Sequence, residues 1–218
     1  VGSTMDALGA MAHAGEPEGT VLLADRQMSG RGRLGRSWLA PPGTSLLMSI
    51  LFRPTRAPER TGKVLMAVAL GVLDVLDPLV APRSAALKWP NDVLVAEKKL
   101  SGMLSEMEAE GDLVSFINIG IGLNVNNDPS VQEPNATSLR KLLGATVFRK
   151  TVLRCFLNRF QARLAEDDWG RVLADWKRHT VTLGRSVRVA TTRRVFEGRA
   201  LDGDNDGALI MEMPDGAV

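Results

Sequence analysis

The sequence predicts an α+β fold: a mixed, largely antiparallel sheet with helices on one side, then a small C-terminal β-barrel-like module. Three observations predict it. Short apolar or β-rich runs recur between residues 20 and 125, most of them separated by turn residues, which reads as strands in a meander. Between residues 127 and 180 the apolar positions recur at helical spacing instead. From Leu183 short β-rich runs return, with Gly203, Asn205 and Gly207 marking a tight turn. At 218 residues, and roughly 150 per domain, the chain has room for one main domain, 1–180, and an appendage, 181–218.

Each element has its own signal. Ser3-Thr4-Met5-Asp6 has the spacing of a capping box, a hydroxyl followed by an acid three residues on. Met5, Leu8, Met11 and Ala12 then follow at helical spacing, with a stop at Gly15. Thr20–Ala24 is short and β-rich, a strand. Arg26 to Gly43 holds four glycines and two prolines with no period, and reads as a loop. Ser45–Arg53 is an apolar run ended by Pro54, a strand buried on both faces. Val64, Leu65, Val68, Val72 and Val75 predict a helix over 60–76, ended by Pro78.

Ala85–Trp89, Val93–Val95, Lys99–Met107 and Leu113–Val125 read as strands, with turns at Pro90-Asn91-Asp92 and Glu110-Gly111-Asp112. Leu153, Phe156, Leu157, Phe160 and Leu164 share one helix face; Trp169, Val172, Leu173 and Trp176 share another. Arg185–Ala190, Val195–Leu201 and Ala208–Met213 supply the C-terminal strands.

Composition excludes several classes. One cysteine, Cys155, leaves no internal disulfide framework or multi-cysteine metal site. His13 and His179, near segment ends, are too few for a zinc centre. Cys155, beside the core face of its helix, is read as structural. The longest apolar stretch, Val64–Leu79, is interrupted by Gly71, Asp74 and Asp77, and no apolar run reaches the roughly 18 residues of a membrane span. With no cationic signal peptide at the start, a cytoplasmic protein without a membrane partner is expected. A net charge of +2 is too mild to make nucleic acid the main partner. The distribution is more telling: residues 26 to 58 hold six arginines and no acid.

Four constellations could carry chemistry. Gly30-Arg31-Gly32-Arg33-Leu34-Gly35-Arg36 formally satisfies the dinucleotide fingerprint. That motif must open a helix, and Ser37-Trp38-Leu39-Ala40-Pro41-Pro42 cannot form one of useful length. What remains is a mobile loop whose guanidiniums chelate carboxylate or phosphate. Its glycines let backbone N–H groups approach an anion. A solvated basic loop or a nucleic-acid contact is the alternative. In Lys88-Trp89-Pro90-Asn91-Asp92, a turn presents Asn91 and Asp92, and the next strand brings Lys99 and Gly102 back toward them. An ammonium suits a carboxylate or α-phosphate, and Asp92 suits Mg²⁺, which takes oxygen ligands and phosphates together. A hairpin with a surface salt bridge is the alternative. Gly120-Ile121-Gly122-Leu123-Asn124 reads as a close ligand approach or a bulge. Ser3-Thr4 reads as a cap or a polar ligand contact.

Taken in order, these pieces resemble the biotin protein ligases. The resemblance rests on Ser3-Thr4, Gln27, the Gly30–Arg36 loop with Trp38, Lys88-Trp89-Pro90-Asn91-Asp92 with Lys99-Leu100-Ser101-Gly102, and Gly122-Leu123-Asn124-Val125. It covers essentially the whole chain and resembles the short form, without an N-terminal DNA-binding domain, so no DNA partner or repressor activity is expected. It implies the catalytic fold shared with class II aminoacyl-tRNA synthetases, plus an SH3-like C-terminal barrel.

The resemblance further implies a two-step reaction using ATP and Mg²⁺. Biotin carboxylate attacks the α-phosphate to give biotinyl-5′-AMP, and a lysine of a biotin carboxyl carrier protein then takes the biotinyl group. By resemblance Ser3, Thr4, Met5, Gln27, Arg31, Gly32, Arg33, Lys99 and Gly102 would meet biotin. Arg33, Arg36, Trp38, Asn91, Lys99 and Asn124 would meet ATP. Lys99, Arg33 and Asp92 would be catalytic, with Asp92 a candidate for Mg²⁺. Met5 stands where the family usually has asparagine. The enzyme would be a monomer or homodimer. A lipoate or octanoate transferase of related fold is the alternative among enzymes. A basic-loop nucleic-acid module is the alternative among binders, but it predicts aromatic stacking residues beside the arginines, and Trp38 stands alone in the loop.

Overall fold

The computed structural model describes residues 1–53, 60–110, 113–165 and 168–218. The Pro54 stop, Arg56 and the Gly111-Asp112 part of the expected turn lie outside the described residues. A six-stranded sheet organises the chain. Its strands are β1 (Val21–Ala24), β2 (Ser45–Phe52), β3 (Ala85–Lys88), β4 (Asp92–Val95), β5 (Lys98–Glu110) and β6 (Leu113–Asn124). The spatial order is β1-β2-β6-β5-β4-β3, with every neighbouring pair antiparallel. Strands β3 to β6 form the expected meander, while β2 joins through β6. The sheet is therefore antiparallel throughout rather than mixed. Parallel contacts among the described residues are isolated bridges, Leu87 with Thr180 and Lys99 with Ala136.

Helices cover both faces, not one. On one face, α2 (Arg60–Val80) packs on β3, β4 and β5, α4 (Arg149–Ala165) on α2 and β2, and α5 (Trp169–His179) on α2 and β3, in one core that includes Leu46, Met48, Ile50 and Phe52 of β2. On the other, α1 (Thr4–His13) lays Leu8 and Ala12 against Leu51 and Phe116. Successive strand residues alternate faces, so β2, buried at every position, has cover on both sides, and α1 supplies the second. A short helix, α3 (Leu139–Leu143), follows the sheet.

Helix α2 runs four residues past its expected end, with Pro78 inside it. A proline that close to the C-terminus removes one intrahelical hydrogen bond in the last turn and leaves the preceding turns intact. Gly71 lets α4 cross closely, since a Cβ there would sit 3.2 Å from the Phe160 Cβ. The expected faces pack as read: Phe156, Phe160, Val172 and Trp176 are buried in the core. Cys155 is exposed on α4 rather than structural. The capping box is half formed. Ser3 Oγ accepts from the Met5 N–H, but Asp6 turns away to Arg31.

The C-terminal strands β7 (Ser186–Ala190), β8 (Val195–Gly203) and β9 (Leu209–Glu212) form a three-stranded antiparallel sheet. That sheet is what the structure shows of the expected barrel; no β7–β9 pairing closes it among the described residues. Among those residues no helix is long and apolar enough to cross a membrane.

One partly buried ionic cluster ties the helices together. Arg163 on α4 donates to both carboxylate oxygens of Asp74 on α2, at 2.8 and 3.0 Å, and to Asp175 on α5 at 2.7 Å. The Asp74 hydrogen bonds raise the Arg163 pKa above its ordinary value against the opposing pull of burial. The Arg163 hydrogen bond holds Asp175 below the usual carboxylate range, although burial pushes the other way. Breaking a partly buried cluster on one side strands the remaining carboxylates, so Arg163→Ala should cost about 1–3 kcal/mol in urea unfolding. Because Asp175 is depressed, its share of stability is present above about pH 4 and disappears as pH falls through its lower folded value. A stability curve for Arg163→Ala parallel to that of the parent chain from pH 7 to pH 2 would count against this.

Candidate active site

The face of the sheet carrying α1 opens beyond that helix into a cleft of about 1190 Å³. Its floor is bare because glycines meet there: Gly102 on β5 pairs with Gly122 on β6, and Gly120 lies two residues along. A Cβ on Gly122 would sit 2.3 Å from Trp38 Cε2, and one on Gly120 would sit 2.7 Å from Met5 Sδ. Neither contact is possible for a real side chain, so the glycines create the space above the sheet. What approaches the two glycines in the structure is the Trp38 and Met5 side chains.

The hairpin explains the spacing from Lys99 to Gly102. Strands β4 and β5 are joined by Ala96-Glu97, both with positive φ (49° and 62°), as a two-residue type I′ turn requires. In a regular strand, residues three apart face opposite sides. A register shift opposite Val93/Leu94 inserts one extra residue in β5, so that Leu94 pairs with Lys99 but Asp92 with Gly102. The bulge thereby turns Lys99 and Gly102 to the same face. Lys99 Nζ lies 2.7 Å from Asp92 Oδ1 and 5.5 Å from the Trp38 ring centroid. Asn91 fastens the turn: its carbonyl accepts from the Met103 N–H at 2.9 Å, and its amide donates to the Met103 carbonyl.

The Gly30–Trp38 flap forms a compact hairpin in the structure. Arg31 and Ser37 form a bridge, and a one-turn 3-10 helix spans Arg33–Gly35. The turn uses left-handed backbone at Leu34 and Gly35. The Trp38 N–H donates to the Gly30 carbonyl at 2.9 Å. A Cβ on Gly30 would meet the Trp38 carbonyl oxygen at 2.3 Å. The three arginines separate. Arg31 leaves the cleft centre for Asp6 and Glu106, 2.8 Å from each. Arg36 is exposed at the rim. Arg33 is half-buried, with its guanidinium 5.9 Å from the Trp89 ring centroid. Burial lowers its pKa, and Asp92 partly offsets that. Trp38 covers the floor, and its buried Nε1 has no hydrogen-bond partner.

The N-terminus of α1 closes the inner end. Thr4 donates through its N–H and hydroxyl to Gln27 Oε1, at 2.7 and 3.0 Å, and its hydroxyl accepts from Ser49 at 2.8 Å. Asn118 donates to the Met5 carbonyl at 2.7 Å. Asn124 is buried and accepts from Asn127 at 2.9 Å. All fourteen residues expected in the site line this one cleft: Ser3, Thr4, Met5, Gln27, Arg31, Gly32, Arg33, Arg36, Trp38, Asn91, Asp92, Lys99, Gly102 and Asn124. Sequence reasoning missed Ser49, Asn118 and Glu106, which position them. A polar residue inside an apolar strand was the available signal for the first two.

A model of the Biotin/lipoate A/B protein ligase family matches residues 1–124, more than half of the chain. The chain belongs to this family. It is 35% identical over 221 residues to the biotin–[acetyl-CoA-carboxylase] ligase of Mycobacterium tuberculosis, covering 97% of this chain and 80% of that one. It is 32% identical over 224 residues to the bifunctional ligase/repressor BirA of Bacillus spizizenii, covering 99% and 68%. Among solved structures it is similar to a biotin protein ligase from Aquifex aeolicus in complex with biotin and ATP. That match has a TM-score of 0.82 and 30% identity, covering 98% of this chain and 89% of that one. For a biotin/lipoate ligase family member, the Lys99–Asp92 hairpin, the glycine floor and the Arg33 flap form one polar centre on an open sheet face.

Proposed function

We propose that the chain is a biotin–protein ligase, forming biotinyl-5′-AMP from biotin and ATP and passing biotin to a lysine of a biotin carboxyl carrier protein in the cytoplasm. The observation that carries this reading is the Lys99 ammonium above the paired glycines, with the half-buried Arg33 of the flap lining the same cleft. A carboxylate must approach a phosphate, and two unit charges about 4 Å apart repel by about 4 kcal/mol at an effective dielectric near 20. A fixed cation between them offsets that cost and has little reorganisation to do.

In the first step a biotin carboxylate oxygen bonds to the α-phosphorus, and the bond to the β-phosphate oxygen breaks, releasing pyrophosphate. In the second the carrier lysine nitrogen bonds to the biotinyl carbonyl carbon and AMP leaves with the phosphate oxygen. Asp92 would accept the ammonium proton. Ser3, Thr4, Gln27 and Met5 would hold the biotin rings at the inner end, and Trp38 and Asn124 would flank the nucleotide. Mg²⁺ is held in general by one or two carboxylates plus substrate phosphates. Among the described residues there is no cluster of three or more acids, histidines or cysteines, and Asp92 fits as the single protein carboxylate. Such an ion supplies positive charge to the phosphates. Residues 181–218 would be the SH3-like module.

The reading is tested by pyrophosphate release that requires both biotin and ATP; release without biotin, or none with both, rejects it. Cys155 does not line the cleft, so no thiol intermediate is expected. Arg33→Gly should remove the flap's inner charge and let the adenylate escape. Expected is at least tenfold more free biotinyl-5′-AMP per pyrophosphate released, the worth of one charge-assisted contact, with increased labelling of bystander amines. An unchanged ratio would show that Arg33 does not retain the intermediate.

A further inference from the structure

Trp89 sits where the cleft meets the C-terminal sheet, and none of the roles above uses it. Its N–H donates to Thr182 Oγ1 at 2.8 Å, and its indole Nε1 donates to the Gly207 carbonyl at 2.9 Å. Gly207 closes the β8–β9 turn with a φ of 86°. That turn is rigid: Asp204 Oδ1 accepts from the N–H groups of Asp206 and Ala208, at 2.9 and 2.8 Å. It is also seated on α2, where a Cβ on Gly62 would lie 1.8 Å from the Asp206 carbonyl oxygen. Nearby, Trp176 packs on Gly203, and Lys177 pairs with Asp202 at 2.8 Å. The C-terminal sheet is thus fixed to the helical layer, and Trp89 carries that fixed position into the cleft.

The other end of the link is Arg33. Arg31 has two carboxylates, but among the described residues no salt bridge holds Arg33. Its guanidinium rests over the Trp89 ring instead, 5.9 Å from the centroid, within the range of a cation–π contact. A tryptophan pinned at its N–H presents one fixed ring face, and a guanidinium on that face is restricted in where it can close.

We propose that Trp89 is a positioning residue through which the C-terminal sheet sets where the flap arginine Arg33 closes over the cleft. This rests on the ligase reading, in which Arg33 retains the adenylate. A tryptophan that only packs the core would give a different energetic signature. If Trp89 acts through Arg33, then removing Arg33 first must abolish most of its effect, because coupled residues are not additive.

The test is a double-mutant cycle on the full chain, with Trp89→Leu, Trp89→Phe and Arg33→Ala read by biotin-dependent pyrophosphate release and by free adenylate. Trp89→Leu should lower kcat/KM for ATP about tenfold and increase adenylate escape, since it removes the ring face and the pinned N–H. In the Arg33→Ala background the same change should alter kcat/KM less than about twofold. Trp89→Phe, which keeps a ring but loses the N–H, should fall between the two and serves for the cycle if the leucine variant does not fold. Losses that multiply across the cycle would overturn the inference while leaving the ligase reading intact. A wild-type chain that forms no adenylate would remove both.

Discussion

Lys99→Ala is expected to slow biotinyl-adenylate formation by about 10²- to 10³-fold, the usual effect of removing one preorganised donor from a developing charge. The loss has two parts. The ammonium no longer stands between the carboxylate and the α-phosphate. Asp92, now without its partner 2.7 Å away, adds a third negative charge to the same centre. Lys99→Arg should recover little, because a planar guanidinium on a longer stem does not replace a compact ammonium above Gly102. Biotin-dependent pyrophosphate release measures this directly. A Lys99→Ala rate within about threefold of wild type would remove Lys99 from the chemistry.

Gly122→Val is expected to have a comparable effect by a steric route. The first side-chain carbon alone would lie 2.3, 2.6 and 2.8 Å from three atoms of the Trp38 indole. The indole must leave the floor, and the branched side chain fills the space above the sheet. ATP binding by calorimetry should weaken about 10- to 100-fold, as overpacking costs about 1–3 kcal/mol and Trp38 is the residue that would flank the nucleotide. The fold should survive, since β-branched residues suit strands and this face of β6 borders a cleft. A variant that melts near the wild-type temperature and binds ATP normally would show that this part of the floor is not the nucleotide site.

How much of this could be read from the sequence depends on distance along the chain. The Lys99–Asp92 pair was legible because a two-residue turn joins their strands, and a hairpin forces such neighbours together. The residue types of the flap announced anion binding, but not that Arg31 would be neutralised by Asp6 and Glu106. Asp6 was read as half of a capping box, a local use that lost to a charge partner across the fold. The placement of α1 on the opposite face from α2 was not legible either. It follows from β2 being apolar on both sides, which is a statement about what must cover a strand and not about which helix does so. Trp89 and Gly207 are 118 residues apart, and nothing local in either segment points to the other. Local spacing therefore gave the parts of the site, and tertiary packing decided which of them face one another.

In the proposed reaction this cleft activates a biotin carboxylate as an adenylate and then gives it to a lysine. The most direct measurement is mass analysis of a biotin carboxyl carrier domain incubated with the chain, biotin and MgATP, beside a parallel sample lacking the carrier. Expected are free or enzyme-held biotinyl-5′-AMP in the sample without carrier, and a carrier heavier by one biotinyl group on a single lysine in the other. An unmodified carrier together with no adenylate, or a carrier biotinylated equally well without ATP, would contradict it.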